Sequence, residues 1–192
     1  MPSAPVKSPT FLSPSKRNKL LLDFQKSVEA TIGRDLAFAF ICGSFASKPK
    51  GEIHDLDVFV CVHRKVGRHI SAFRKWYFAI HKKYNLQPDQ EYPGEVMTTH
   101  ALHSTLEVVL KTEPNFTIRR ERLYDGVVWA GMLSGKRKSL IGNKSEYEDA
   151  RLKADKVVSI WARRLLSGVK NMRSDLFLKH FTRFEPSKYV QH

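Results

Sequence analysis

Negative charge is what this chain is short of: 19 Asp and Glu stand against 33 Lys and Arg, a formal charge of +14 over 192 residues. A surface with that imbalance attracts polyanions and anionic small molecules and disfavours a cationic ligand, but it names no reaction. Cysteine is nearly absent. The two present, Cys42 and Cys61, fall inside apolar runs and read as small buried side chains, not as a disulfide or a metal pair. No apolar run approaches the roughly 18 residues needed to cross a bilayer. The N-terminus lacks a charged region followed by an apolar core and a cleavage site, so the expectation is a soluble, cytoplasmic protein. No internal repeat is present. With 42% hydrophobic residues, the chain has material for one sizeable core and a helical extension.

Prolines at 2, 5, 9 and 14 among small polar residues mark 1–14 as a flexible tail. From Ser15, a plausible N-cap, Leu20, Phe24 and Val28 recur at helical spacing, with Leu21 and Ile32 beside them, until Gly33 supplies the stop. Lys16, Arg17 and Lys19 oppose the dipole of that helix, so they are either frayed or serve something outside it. Leu36–Cys42 reads as a buried strand. A second strand runs over His54–Val62, with Leu56, Val58, Val60 and Val62 on one face and Asp55, Asp57, Phe59 and Cys61 on the other.

Ile70, Phe73, Tyr77, Ile80 and Tyr84 define an amphipathic helix over His69–Tyr84, with His81, Lys82 and Lys83 near its C-terminal end. A short strand is expected near Asp89, disturbed by Pro93-Gly94. A helix capped by Thr98 or Thr99 follows, with Leu102, Leu106, Val109 and Leu110 as its buried stripe. Tyr124–Trp129 reads as a strand or an ordered loop amid Gly126, Gly131, Gly135 and Gly142. A long helix from Ser145 to Leu166, carrying Leu152, Val157, Ile160 and Trp161, and a short one over Asp175–Phe184 complete the chain. The fold class expected is α/β, of the α+β kind: a small mixed sheet with helices on one face and the other face open for chemistry. The core spans 15–112, and a mostly helical part, 113–192, packs on it.

The chemistry concentrates in Phe40–Val62, FICGSFASKPKGEIHDLDVFVCV. Two carboxylates on one strand face repel each other unless a cation sits between them. Mg²⁺ is the natural partner, since it prefers oxygen ligands and keeps positions open for phosphates. Gly43 leaves a phosphate room to approach the backbone, and the Ser44 hydroxyl with nearby N–H groups can donate to its oxygens.

Cys42, Gly43 and Ser44, ten intervening residues, then Asp55, Leu56, Asp57 and Val58 resemble the signature of the nucleotidyltransferase superfamily related to DNA polymerase beta. The resemblance covers about Leu20–Leu110. It implies a nucleotidyltransferase-like fold and attack by a hydroxyl on the α-phosphate of an NTP such as ATP, with pyrophosphate leaving. It implies Mg²⁺, or Mn²⁺ in its place, held by Asp55 and Asp57, with Gly43 and Ser44 against the nucleotide. It also implies a third carboxylate from a neighbouring strand. Asp89 and Glu91 share parity and are the choice for that catalytic role, with Glu91 as a metal ligand; Glu95 lies beyond the Pro93-Gly94 break.

Many members of the family place Ser before the first aspartate, where this chain has His54. Lys48 and Lys50 stand where they can neutralise triphosphate charge. His100 and His103 have a metal-binding spacing but no third ligand. Tyr124, Trp129, Lys136, Arg137 and Lys138 form an aromatic and basic mixture suited to a nucleotide or an RNA strand. Arg151, Lys153, Lys156, Arg163 and Arg164 add charge further on. The acceptor stays open among RNA, protein and small molecule, with RNA favoured by charge. The alternative is a catalytically inactive nucleotide- or nucleic-acid-binding module with the same fold.

Overall fold

The structure is a computed structural model, and it describes residues 10–48, 51–64, 67–88, 94–111 and 120–166. The first helix, α1 (Pro14–Ile32), starts two residues earlier than a cap at Ser15 implies. Ser13 is the cap, its hydroxyl accepting from Lys16 N, and Pro14 takes a first-turn position where a missing N–H costs nothing. A short 3₁₀ turn, Gly33–Asp35, leads into β1 (Leu36–Ile41). There follow α2 (Gly43–Ser47), β2 (Val58–Val62), α3 (Gly67–Tyr84), β3 (Glu95–Thr98), α4 (Thr99–Lys111), α5 (Arg120–Ser134), β4 (Lys138–Gly142) and α6 (Lys144–Leu166).

The four strands form one mixed sheet in the order β3-β2-β1-β4. β1 is antiparallel to both β2 and β4, and β2 is parallel to β3. The α+β class is therefore as the sequence indicates. The start expected for a strand near Asp89 lies outside the described residues; the strand described here is β3, from Glu95. Two elements differ in kind. Tyr124–Trp129 lies inside the helix α5, not in a strand or loop. The fourth strand comes from 138–142, a stretch the sequence reading left in the helical C-terminal part. Asp175–Phe184 lies outside the described residues.

The chain divides into two compact units, residues 1–99 with 135–146 and residues 100–134 with 147–192. The first unit holds the whole sheet. One sheet face, with Ala39, Ile41, Val58, Val60 and Val62, packs against Leu20, Phe24 and Val28 of α1 and Phe73, Tyr77 and Ile80 of α3. The opposite face carries Phe38, Phe40 and Phe59, fully buried and near-parallel, with Phe40 and Phe59 5.1 Å apart. The sequence reading left this face open for chemistry; an aromatic surface of that size does not stay in water, and the site sits at one end of the sheet instead. A register shift between Leu36 and Phe38 lets Leu36 join the helix-facing core although it shares parity with Phe38.

In the second unit, Leu102, Leu106 and Val109 of α4 are buried as expected, while Leu110 is half-buried. The α6 stripe is Tyr147, Ala150, Ala154, Val157 and Val158. Leu152, on the same helix, is 61% exposed. The Tyr147 hydroxyl donates to Leu133 O at 2.9 Å, and Lys153 pairs with Glu107 at 2.8 Å.

Candidate metal and nucleotide site

The site is built where β1 ends and β2 begins. Because these strands are antiparallel, Ile41 pairs with Val58, and the next residues outward, Cys42–Ser44 and Asp57, emerge side by side. Cys42 N donates to Asp57 O at 2.9 Å, carrying the pairing one step past the ladder. Gly43 then turns with φ +60°, a conformation L side chains avoid. A Cβ on Gly43 would stand 2.6 Å from Asp57 Cγ, with Oδ2 nearer still. The Asp57 carboxylate thus occupies the space that the missing side chain leaves. Asp55 acts nearby: burial pushes the Cys42 thiol well above its ordinary range, and the charges of Asp57 and then Asp55 push it further. Both aspartates are half-buried. Cys42 and Cys61 are free and buried, as their apolar surroundings indicate.

Ser44 Oγ is buried and, among the described residues, has no hydrogen-bond partner. A buried hydroxyl in that state is unusual. It stands beside the glycine over which Asp57 lies, so the Gly43-Ser44 pair presents a polar group and an unobstructed backbone to whatever the carboxylates hold.

The segment from His54 to Asp57 is not part of β2, contrary to the strand expected over His54–Val62. It is held by other partners. Ile53 bridges Thr10 through two backbone hydrogen bonds of 2.8 and 3.1 Å, and the His54 carbonyl accepts from Gln87 N at 2.8 Å. Leu56 N donates to Nε2 of His81 at 3.1 Å. His81 is fully buried, and its Nδ1–H donates to Tyr77 O at 2.7 Å. Its ring is therefore neutral, with burial holding it below its usual range against the Tyr77 carbonyl and the Asp55 charge. His81 lies near the C-terminal end of α3 as expected, and its spacing from Tyr77 and Tyr84 places it on the buried stripe of that helix.

The other loop has a matching anchor. Arg17 of α1 is buried and donates to Phe45 O at 3.0 Å and Gly51 O at 3.2 Å, with its guanidinium 4.6 Å from the Phe45 ring centroid. Of the first-turn cations, it is the one that serves something outside its helix. The signal was present in the sequence, since Arg17 lies on the Leu20 and Phe24 stripe. Lys48 is exposed at the end of α2, where its stem passes over Gly51. His54 is exposed as well.

Lys50, Asp89 and Glu91 lie outside the described residues. Glu95 stands first in β3, its backbone in register with Phe59. β4 enters the sheet at the same end, with Lys138 opposite Ile41, so Lys136, Arg137 and Lys138 arrive beside the strand that delivers Gly43. His100 and His103 lie on α4, in the second unit.

Among the described residues, no group of three or more His, Cys, Asp and Glu is arranged to hold a metal ion. The two aspartates nevertheless suit a hard divalent cation: both are oxygen donors on one short segment, and Asp57 lies against a glycine that a side chain would obstruct. No helix among the described residues is long and apolar enough to cross a membrane. A scan against protein-family models finds no match, and a search of curated proteins finds none either.

Proposed function

We propose that this protein is a divalent-metal-dependent nucleotidyltransferase that moves a nucleoside monophosphate from an NTP to a hydroxyl acceptor and releases pyrophosphate. The observation that carries the reading is the packing of the Asp57 carboxylate over Gly43, beside the unpartnered hydroxyl of Ser44. Those three residues are among the ones that carry the resemblance, and their proximity supports the reading.

In this reading Asp55 and Asp57 hold Mg²⁺, which supplies charge neutralisation for the attacking and leaving oxygens. Gly43 admits the phosphate to the backbone, and the Ser44 hydroxyl donates to one of its oxygens. Glu95 is the candidate third carboxylate among the described residues, because its backbone stands opposite Phe59, two residues beyond Asp57. Asp89 and Glu91 remain candidates from sequence. Lys136, Arg137 and Lys138, at the β4 entrance, favour a polyanionic acceptor, and RNA is the acceptor we propose.

The test is an incubation of the purified chain with Mg²⁺, each labelled NTP, and total cellular RNA and protein, resolved by size. Label is expected in RNA, and Asp55→Ala and Asp57→Ala are each expected to abolish it. Label transfer or metal-dependent NTP binding that survives both substitutions refutes the site. A salt-sensitive RNA complex with no transfer supports the inactive binding module instead.

A further inference from the structure

The peptide between the two aspartates has an unusual support. Leu56 N–H lies two residues before β2, outside its ladder, yet the Leu56 side chain is 1% exposed and belongs to the core. A buried N–H without a partner is costly, and here the partner is a side chain on a helix 25 residues away in sequence. His81 can accept this bond only as the tautomer with Nδ1 protonated, and the bond from Nδ1–H to Tyr77 O imposes that tautomer. The ring cannot swivel freely, since its centroid lies 4.1 Å from that of Tyr77. From the other side, Asp57 O is held by Cys42 N. The Asp-x-Asp segment is thus fixed at Asp57 by β1 and at Leu56 by α3.

We infer that His81 is the positioning residue of the acidic segment: its neutral imidazole, aimed by Tyr77, sets the direction in which Asp55 and Asp57 present their carboxylates to a divalent cation. The inference rests on the nucleotidyltransferase reading for its functional half. His81 touches neither carboxylate through any bond described above and is not a catalytic residue. Its action runs through the Leu56 peptide, in the manner of the outer partners that orient metal ligands and whose removal weakens metal affinity about 10–100-fold.

The test compares the wild type with His81→Leu, which removes the acceptor, and His81→Gln, whose side-chain oxygen reaches about as far as Nε2. Two readouts are taken on folded protein: exchange of the Leu56 amide by NMR, and the Mg²⁺ concentration that half-saturates NTP binding. His81→Leu is expected to speed Leu56 exchange at least tenfold and raise the Mg²⁺ requirement about tenfold or more, with His81→Gln within about threefold of wild type on both. A purely structural role would lower thermal stability and leave the Mg²⁺ requirement of the folded protein unchanged; that result overturns the inference.

Should His81→Leu not fold, the ¹⁵N spectrum of wild-type His81 decides. A protonated Nδ1 and a bare Nε2 coupled to the Leu56 amide support the arrangement, and a protonated Nε2 overturns it. A wild type with no Mg²⁺-dependent NTP binding defeats the nucleotidyltransferase reading itself. The Leu56 exchange then still reports whether His81 holds the segment.

Discussion

Replacing Gly43 with alanine probes the placement of Asp57 without touching either carboxylate. At φ +60° a side chain costs about 1–3 kcal/mol in backbone strain alone. The new Cβ would also lie 2.6 Å from Asp57 Cγ, so the carboxylate has to move. The shift is on the order of 1 Å, and overpacking of this kind adds about 1–3 kcal/mol. Gly33 provides the control: its φ is +58°, and nothing lies within 4 Å of where its Cβ would be. Gly33→Ala therefore carries a positive-φ backbone cost of its own without the collision.

Chemical denaturation of Gly43→Ala, Gly33→Ala, Asp57→Ala and the Gly43→Ala/Asp57→Ala double variant measures the excess. In the Asp57→Ala background only the Cβ at position 57 remains near, at 3.1 Å, so the excess cost of Gly43→Ala should nearly vanish. Misplacing a reacting group by about 1 Å costs roughly a hundredfold in rate, so under the proposed function Gly43→Ala should lose about that much nucleotidyl transfer while Gly33→Ala should not. Equal destabilisation by the two alanines, unchanged by the Asp57 substitution, would refute the close packing of Asp57 on Gly43.

Two further outcomes follow from the anchors. Arg17→Met leaves the Phe45 and Gly51 carbonyls without their donor and should cost about 2–4 kcal/mol in a denaturant melt, with Arg17→Lys recovering less than half because an ammonium lacks the planar fork; a loss under about 0.5 kcal/mol would sink this account of the loop. Because burial holds His81 below 6.5, the unfolded chain takes up a proton the native state resists, so stability is full above that pH and falls below it at up to about 1.4 kcal/mol per pH unit. The stability difference between wild type and His81→Gln should therefore shrink as pH falls through that window, and parallel curves would count against it.

What was legible in the sequence is what periodicity encodes. The stripe Leu20, Phe24, Val28 and Ile32, the run into Gly43-Ser44, and the alternation through Val58, Val60 and Val62 all stand as read. Periodicity does not say what a polar residue on a buried stripe is bonded to. Arg17 is expected either frayed or serving something outside its helix, and only the fold shows that its partners, like that of His81, are backbone groups far away in sequence. Gly126 looked like punctuation, but it lies within α5, where an added Cβ would come within 2.5 Å of Val109 on α4. β4 reads KSLIG, too short and too mixed to announce a strand; only pairing with β1 makes it one. The face carrying Asp57 and Phe59 was expected open because alternation gives sidedness but says nothing about what is buried.

The two anchors also limit how the site can be transplanted. A graft of Phe40–Val62 onto another sheet would bring the glycine, the serine and both aspartates, yet neither Arg17 nor His81 would travel with it. The loop after Ser44 and the peptide between the aspartates would then be free to rearrange. The smallest portable piece runs from Thr10, which pairs with Ile53, to Gln87, which closes on His54, with β4 supplied to cover the edge of β1.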